Sequence, residues 1–187
     1  MHYDKLISIL SVAEKLKCNT RHSDTSSGRR ESVAEHSWRL ALMAMLLEEE
    51  FPEVDINKVI KMCLIHDLGE CFTGDIPTFE KTKADEVTEE KLLDDWVSSL
   101  PEPYASEMAA LYQEMAERKT LEGKIYKAID SLEALIQHNE SDLSTWTANE
   151  YELNRTYAFD RVTFSDYMMK LREMIREDTE KKLAECK

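Results

Sequence analysis

Ser32-Val33-Ala34-Glu35-His36-Ser37-Trp38-Arg39-Leu40-Ala41-Leu42-Met43-Ala44-Met45-Leu46 is the stretch whose reading decides the fold class. Its first four residues have the form of a capping box. The Ser32 hydroxyl can accept from the third amide of a helix while the Glu35 carboxylate reaches back to the amide of Ser32. Behind this cap, Ala34, Trp38, Ala41, Leu42, Met45 and Leu46 recur at steps of three and four, which marks one face of a helix and the face expected to meet a core. The run closes on Glu48-Glu49-Glu50 ahead of Pro52. It is a helix with a start, an apolar stripe and an end, and it carries His36 in its first turn.

The same periodicity extends outward in both directions. Tyr3, Leu6, Ile7, Leu10, Ala13 and Leu16 predict a helix that stops near Asn19, and the polar stretch from Asn19 to Arg30, with Ser26, Ser27 and Gly28, predicts a loop. Ile56, Val59, Ile60, Cys63 and Leu64 predict a helix from about Asp55 to Gly69. A turn follows within Thr73 to Phe79, around Gly74-Asp75-Ile76-Pro77. A charged helix over Val87 to Leu100 carries Leu92, Leu93, Trp96 and Val97 and is broken by Pro101 and Pro103. Further helices begin at Tyr104 and, past Gly123, run from Lys124 to Asn139 with Ile125, Ile129, Leu132, Leu135 and Ile136. Ser141 to Asp160 carries little pattern. A last helix, about 162–185, places Phe164, Tyr167, Met168, Leu171, Met174 and Ile175 on one side. Nothing alternates with period two and nothing repeats. The expectation is an all-α fold, a single compact bundle of six or seven helices without a sheet, forming one domain over residues 1–187.

Composition narrows the function classes. Of 187 residues, 42% are hydrophobic and 33% charged, as in a globular protein with a sizeable core. Only 4 glycines occur, too few and too scattered for a glycine-rich phosphate cradle. The net charge of −14 opposes binding to nucleic acid polymers and to anionic membranes. No apolar run approaches the ~20 residues of a membrane span, and the amphipathic start does not have the form of a signal peptide. Cys18, Cys63, Cys71 and Cys186 form no CxxC pair and read as reduced thiols of a cytoplasmic protein.

Candidate chemistry sits where charge interrupts apolar helices. His66-Asp67 ends the apolar run Val59 to Ile65. Buried charge there is costly unless neutralised, and a divalent metal would neutralise it; a capped helix end with a solvated Asp is the plainer alternative. Glu70 lies four residues after His66 and three after Asp67, so one more helical turn would bring all three to one side. Asp75, in the following turn, is a second nearby carboxylate, although turn chemistry alone accounts for it. With His36, two imidazoles and two carboxylates would suit one divalent transition metal such as Mn, Co, Fe, Ni or Zn. Asp130 is a candidate for the second carboxylate, but it lies roughly 130° from the centre of its helix's apolar stripe, and periodicity alone favours a solvent-facing residue. Between Lys15 and Arg39, the cations Lys15, Lys17, Arg21, Arg29, Arg30 and Arg39 outnumber Asp24, Glu31 and Glu35. A basic segment in an acidic chain can receive a phosphate through guanidinium forks.

Taken together, His36, His66-Asp67 and Asp130 resemble the HD-domain metal-dependent phosphohydrolases. Glu31-Ser-Val-Ala-Glu-His36-Ser-Trp and Leu64-Ile-His-Asp-Leu-Gly-Glu70-Cys-Phe-Thr-Gly-Asp75-Ile-Pro77 look like the 5′-deoxynucleotidase (YfbR-like and HD-containing) branch, over about Leu6 to Asn139. The resemblance implies a metal-site core of about residues 30–140, with His36, His66, Asp67 and Asp130 as ligands. It further implies Glu70 and Asp75 as acidic residues that handle protons and a deoxyribonucleoside 5′-monophosphate as substrate. A homodimer is expected from the same likeness. Arg21, with Arg29 or Arg30, would hold the phosphate. Where bacterial relatives carry Arg-Trp ahead of the first metal His, this chain has Arg21-His22. Other HD hydrolases, acting on nucleoside triphosphates or cyclic nucleotides, and a non-catalytic nucleotide-binding module are the competing readings.

Overall fold

The capping box forms as its residues require. In a computed structural model that describes residues 1–76 and 81–185, the Ser32 Oγ accepts from the Glu35 amide at 3.2 Å and Glu35 accepts from the Ser32 amide at 2.9 Å. Helix α2 (Val33–Leu46) starts there. Before it come α1 (Tyr3–Ala13), a 3-10 turn (Glu14–Lys17) and two short strands, β1 (Thr20–Asp24) and β2 (Arg30–Ser32). After it come α3 (Ile56–Ile65), α4 (Glu70–Thr73), α5 (Lys83–Ser98), α6 (Tyr104–Glu117), α7 (Leu121–Glu140), α8 (Glu150–Thr156) and α9 (Asp166–Glu185). Among the described residues the fold is all-α apart from one hairpin.

Helix α7 is the axle. It packs against α2, α3, α6 and α9. Ile125, Ala128, Ile129 and Leu132 are fully enclosed on it, together with Leu40 and Ala44 of α2 and Val59, Met62 and Cys63 of α3. Gly123, near the start of α7, permits α6 to come close: a Cβ there would lie 3.0 Å from the Glu114 carbonyl oxygen. A smaller cluster gathers Leu16, Val33, Leu68 and Cys71, with Leu93 and Trp96 against it. Ile65 packs on both clusters. Cys18, Cys63 and Cys71 are free thiols; Cys186 lies outside the described residues, as do Pro77 and Phe79 of the expected turn.

Several expectations are corrected. Thr20–Asp24 and Arg30–Ser32 are not a plain loop but an antiparallel pair, in register at Thr20↔Ser32 and Asp24↔Arg30, turning through Gly28 at φ +80°. No apolar alternation announces this hairpin, because its inward residues, Ser23 and Glu31 among them, face polar partners. The stripe read on α2, Ala41 apart, is also mostly on the wrong side. Val33, His36, Ser37, Leu40, Ala41 and Ala44 are buried, whereas Trp38, Leu42, Met45 and Leu46 are exposed. That helix is apolar nearly all round, so periodicity could not choose its inner face. Tyr3, Leu6, Ile7 and Leu10 of α1 are likewise exposed.

Helix α3 ends at Ile65, short of the expected Gly69. Tighter turns follow, with Leu68 N–H donating to the Ile65 carbonyl and Glu70 N–H to the Asp67 carbonyl. The freed Ile65 carbonyl also accepts from Tyr112 Oη at 2.6 Å, which anchors the break to α6. In the stretch from Ser141 to Asp160, α8 stands beside a 3-10 turn, Leu143–Thr145.

Replacing Ser32 with Ala removes the hydroxyl half of the cap. Urea unfolding followed by circular dichroism should show a loss of about 1 kcal/mol relative to wild type. An unchanged midpoint would mean that the cap does not hold α2 in place.

Candidate functional site

Each element delivers its polar residue for a local reason. The capped first turn of α2 fixes His36, whose side chain is fully buried. The early end of α3 turns His66 and Asp67 inward. The middle of α7 presents Asp130 and, one turn later, Glu133. His66 Nε2 lies 3.0 Å from Asp67 Oδ2, 3.3 Å from His36 Nε2 and 3.7 Å from Asp130 Oδ1. His36 Nε2 lies 3.3 Å from Asp130 Oδ1. Ligand atoms from His36, His66 and Asp67 all fall within 4.8 Å of one another.

The tautomers explain what this convergence needs. His66 Nδ1 is 2.8 Å from the Cys63 carbonyl, which can only accept, so Nδ1 carries the hydrogen. His36 Nδ1 is held by the Glu133 carboxylate. When these rings are neutral, both Nε2 atoms present bare lone pairs to each other and to two carboxylates. Asp67 Oδ2 has no hydrogen-bond partner although it is enclosed. Buried electron-rich atoms 3.0–3.7 Å apart are stable only around positive charge. Donor atoms each about 2.1 Å from one ion would lie roughly 3.0–3.4 Å from their neighbours. The donor set therefore fits a divalent transition metal. Without one, the charge comes from protons. Burial and Arg21 press the His36 pKa down, but its bonds to Asp130 and Glu133 prevail and raise it to about 9. Burial opposes ionisation of Asp67, yet His66, His36 and Arg21 bring it down to about 2.

A cavity of about 490 Å³ opens beside these residues. Asp67, Asp130, Glu70 and Asp75 border it, and so do five cations: Arg21, Lys81, Arg118, Lys127 and Arg161. Arg21 is held by Glu31 at 3.3 Å and reaches to 3.8 Å from Asp67. Lys127 donates to Asp130 Oδ2 at 2.6 Å. Burial first, then Asp67 and Asp75, push Glu70 up to about 10, while burial raises Asp75. The structure thus brings together seven of the nine residues singled out in the sequence: His36, His66, Asp67, Asp130, Glu70, Asp75 and Arg21. Arg29 and Arg30 stand apart, beside a separate depression with Lys17 and Trp38. Arg29 forks onto Glu35, and Arg30 pairs with Asp24 at 3.4 Å.

Sequence reasoning missed Glu133, Glu31, Lys81, Lys127, Arg118 and Arg161. Glu133 carried a signal: it follows Asp130 by three residues and so shares its face of α7. The four cations carried none, because they reach the cleft from separate parts of the chain.

A helical bundle with a buried His-His-Asp-Asp convergence beside a cation-lined cleft defines the class of protein. The profile of the HD domain matches residues 13–172, and the chain belongs to that family. It is 30% identical over 114 residues to a human protein named 5′-deoxynucleotidase HDDC2, an alignment that covers 60% of this chain and 55% of that one. A Dictyostelium discoideum protein of the same name is 31% identical over 144 residues, 72% of this chain and 76% of that one. The chain spans about half the length of the human relative that it matches. A crystal structure described as a predicted metal-dependent phosphohydrolase from Magnetospirillum magnetotacticum superposes with a TM-score of 0.80 at 30% identity, covering 97% of this chain and 95% of that one.

A carboxyl group held protonated by burial weakens the fold as pH rises. Below about pH 4.5 Glu70 is neutral folded or unfolded, and the penalty is absent; it grows between there and its folded value of about 10. Glu70→Gln should therefore raise the Tm of the metal-free protein at pH 8 and leave it unchanged at pH 4. Equal Tm shifts at both pH values would contradict that environment.

Proposed function

We propose that this protein is a metal-dependent phosphohydrolase, a 5′-deoxynucleotidase that converts deoxyribonucleoside 5′-monophosphates into deoxyribonucleosides and phosphate. The observation that carries the reading is the convergence of His36 Nε2, His66 Nε2, Asp67 Oδ2 and Asp130 Oδ1 on the edge of a cleft that carries five cations among its carboxylates. The names of the human and Dictyostelium relatives support the substrate class.

In this reading His36, His66, Asp67 and Asp130 hold one divalent ion, Mn, Co, Fe, Ni or Zn. When bound, that ion lowers the pKa of water and offsets charge on the phosphoryl group. Arg21, whose guanidinium is locked by Glu31, faces the phosphate oxygens, and Lys127 and Lys81 add charge along the same wall. Glu70 and Asp75, linked by a hydrogen bond, orient the attacking water, and the ionised member of the pair takes up its proton. They return a proton to the 5′ oxygen as the P–O bond breaks. Glu133 and the Cys63 carbonyl keep both imidazoles in the tautomer that offers Nε2. His22 borders the cleft beside Arg21, where it meets the sugar end of the substrate.

The assembly is a homodimer. Exposed apolar residues are concentrated on α2, where Trp38, Leu42, Met45 and Leu46 share an exposed face, and on α1. By contrast, α9 turns Met168 and Ile175 into the core, so its apolar side is not the one available to a second copy. No helix among the described residues is long and apolar enough to cross a membrane, and the protein acts in the cytoplasm on small nucleotides rather than on nucleic acid polymers.

Phosphate release from a panel of deoxyribo- and ribonucleoside 5′-monophosphates, with stripped protein resupplied with single metals, tests the reading. The expected result is metal-dependent release that favours the deoxyribonucleotides. It is abolished by Asp67→Ala together with metal binding at the His36, His66 and Asp130 centre, and lowered roughly 10²–10⁴-fold by Glu70→Ala with metal retained there. Metal binding without release from any monophosphate would refute the assignment.

A further inference from the structure

We propose that His22, His138 and Glu150 form a second site for a divalent transition-metal ion in the same cleft. All three border the cavity, and their ligand atoms fall within 4.8 Å of one another. Glu150 Oε1 lies 3.1 Å from His22 Nε2 and 3.5 Å from His138 Nε2. The other oxygen of Glu150 is occupied by the Thr147 amide.

A buried network fixes the tautomer of His138. The Ile175 carbonyl can only accept, so the Asn139 amide nitrogen donates to it at 3.0 Å and Asn139 Oδ1 is left to accept. It accepts from the Asn154 amide nitrogen at 3.0 Å. Asn154 Oδ1 is then the atom that faces His138 Nδ1 at 3.0 Å, and Nδ1 must carry a hydrogen to donate. In the neutral ring, Nε2 is therefore a bare lone pair facing a buried carboxylate. Such an arrangement calls for positive charge between the two. Two imidazoles and one carboxylate, with the remaining positions open to the cleft, form a donor set for a first-row divalent ion.

His138 follows Asp130 by eight residues on α7, roughly 12 Å along the axis at 1.5 Å per residue. Paired ions that share one phosphoryl group sit about 3.5–4 Å apart. The second ion is therefore not a partner in the displacement at phosphorus. On the nucleotidase reading above, on which this step rests, its place in the cleft is to dock a part of the substrate remote from the transferred phosphate.

The test is metal stoichiometry of the chelator-stripped full chain, by zinc titration with elemental analysis and by the visible spectrum with cobalt(II). The wild type should take up two equivalents. His22→Ala and Glu150→Gln should each take up one, Asp67→Asn one, and the double variant His22→Ala with Asp67→Asn none. His22 borders the cleft rather than the core, and circular dichroism checks that its variant is folded. A single wild-type equivalent lost in Asp67→Asn would overturn the second site and leave the proposed catalytic centre standing. A single equivalent that survives Asp67→Asn and is lost in His22→Ala would do the reverse. A second equivalent that persists in both His22→Ala and Glu150→Gln would be an adventitious ion only and would overturn the proposal, as would no binding at all.

Discussion

Two imidazole nitrogens 3.3 Å apart, on rings whose Nδ1 atoms are held by Glu133 and by the Cys63 carbonyl, impose the constraint that organises the site. His36 and His66 can face each other so closely, with Asp67 and Asp130 beside them, only around positive charge. Everything that places these four side chains is backbone architecture. The Ser32 cap sets the first turn of α2, Tyr112 holds the carbonyl exposed where α3 stops, and α7 threads both regions together. The cost of gathering so many electron-rich atoms in one buried place falls on the rest of the fold, whose enclosed aliphatic core is built on the same three helices.

Around this point the charges form a connected set. Glu133 holds His36 on one side and lies 3.6 Å from Arg39 on the other, and Arg39 also forks onto Glu140. Arg21 runs between Glu31 and Asp67. The chain as a whole carries −14, whereas the cleft sets Arg21, Lys81, Arg118, Lys127 and Arg161 against the carboxylates of Asp67, Glu70, Asp75, Glu86, Asp130 and Glu150. The cleft is thus close to charge balance inside a molecule whose overall charge opposes polyanions.

Much of this was legible in the sequence, and the failures have physical causes. The helices with one clear apolar stripe, α3 and α7, start close to where their periodicity placed them, although α3 stops at Ile65 rather than at Gly69. Asp130 did not follow from periodicity: a wheel that marks one stripe treats the remaining surface as solvent, but α7 is surrounded by four helices and its off-stripe face looks into a cleft. The reading of α2 failed for the opposite reason, since a helix apolar on nearly all sides gives no preferred inward face. The hairpin of β1 and β2 was invisible because its inner side chains answer to Arg21, Ser23 and Glu31 rather than to an apolar core. The cations of the cleft wall could be found only by folding the chain, for no spacing links Lys81, Arg118, Lys127 and Arg161.

If His36, His66, Asp67 and Asp130 form a metal centre, anomalous X-ray diffraction from crystals of the cobalt-loaded protein shows a peak within about 2.0–2.2 Å of His36 Nε2, His66 Nε2 and a carboxylate oxygen of each aspartate. Fully loaded protein with no anomalous density between the two imidazoles would contradict that assignment.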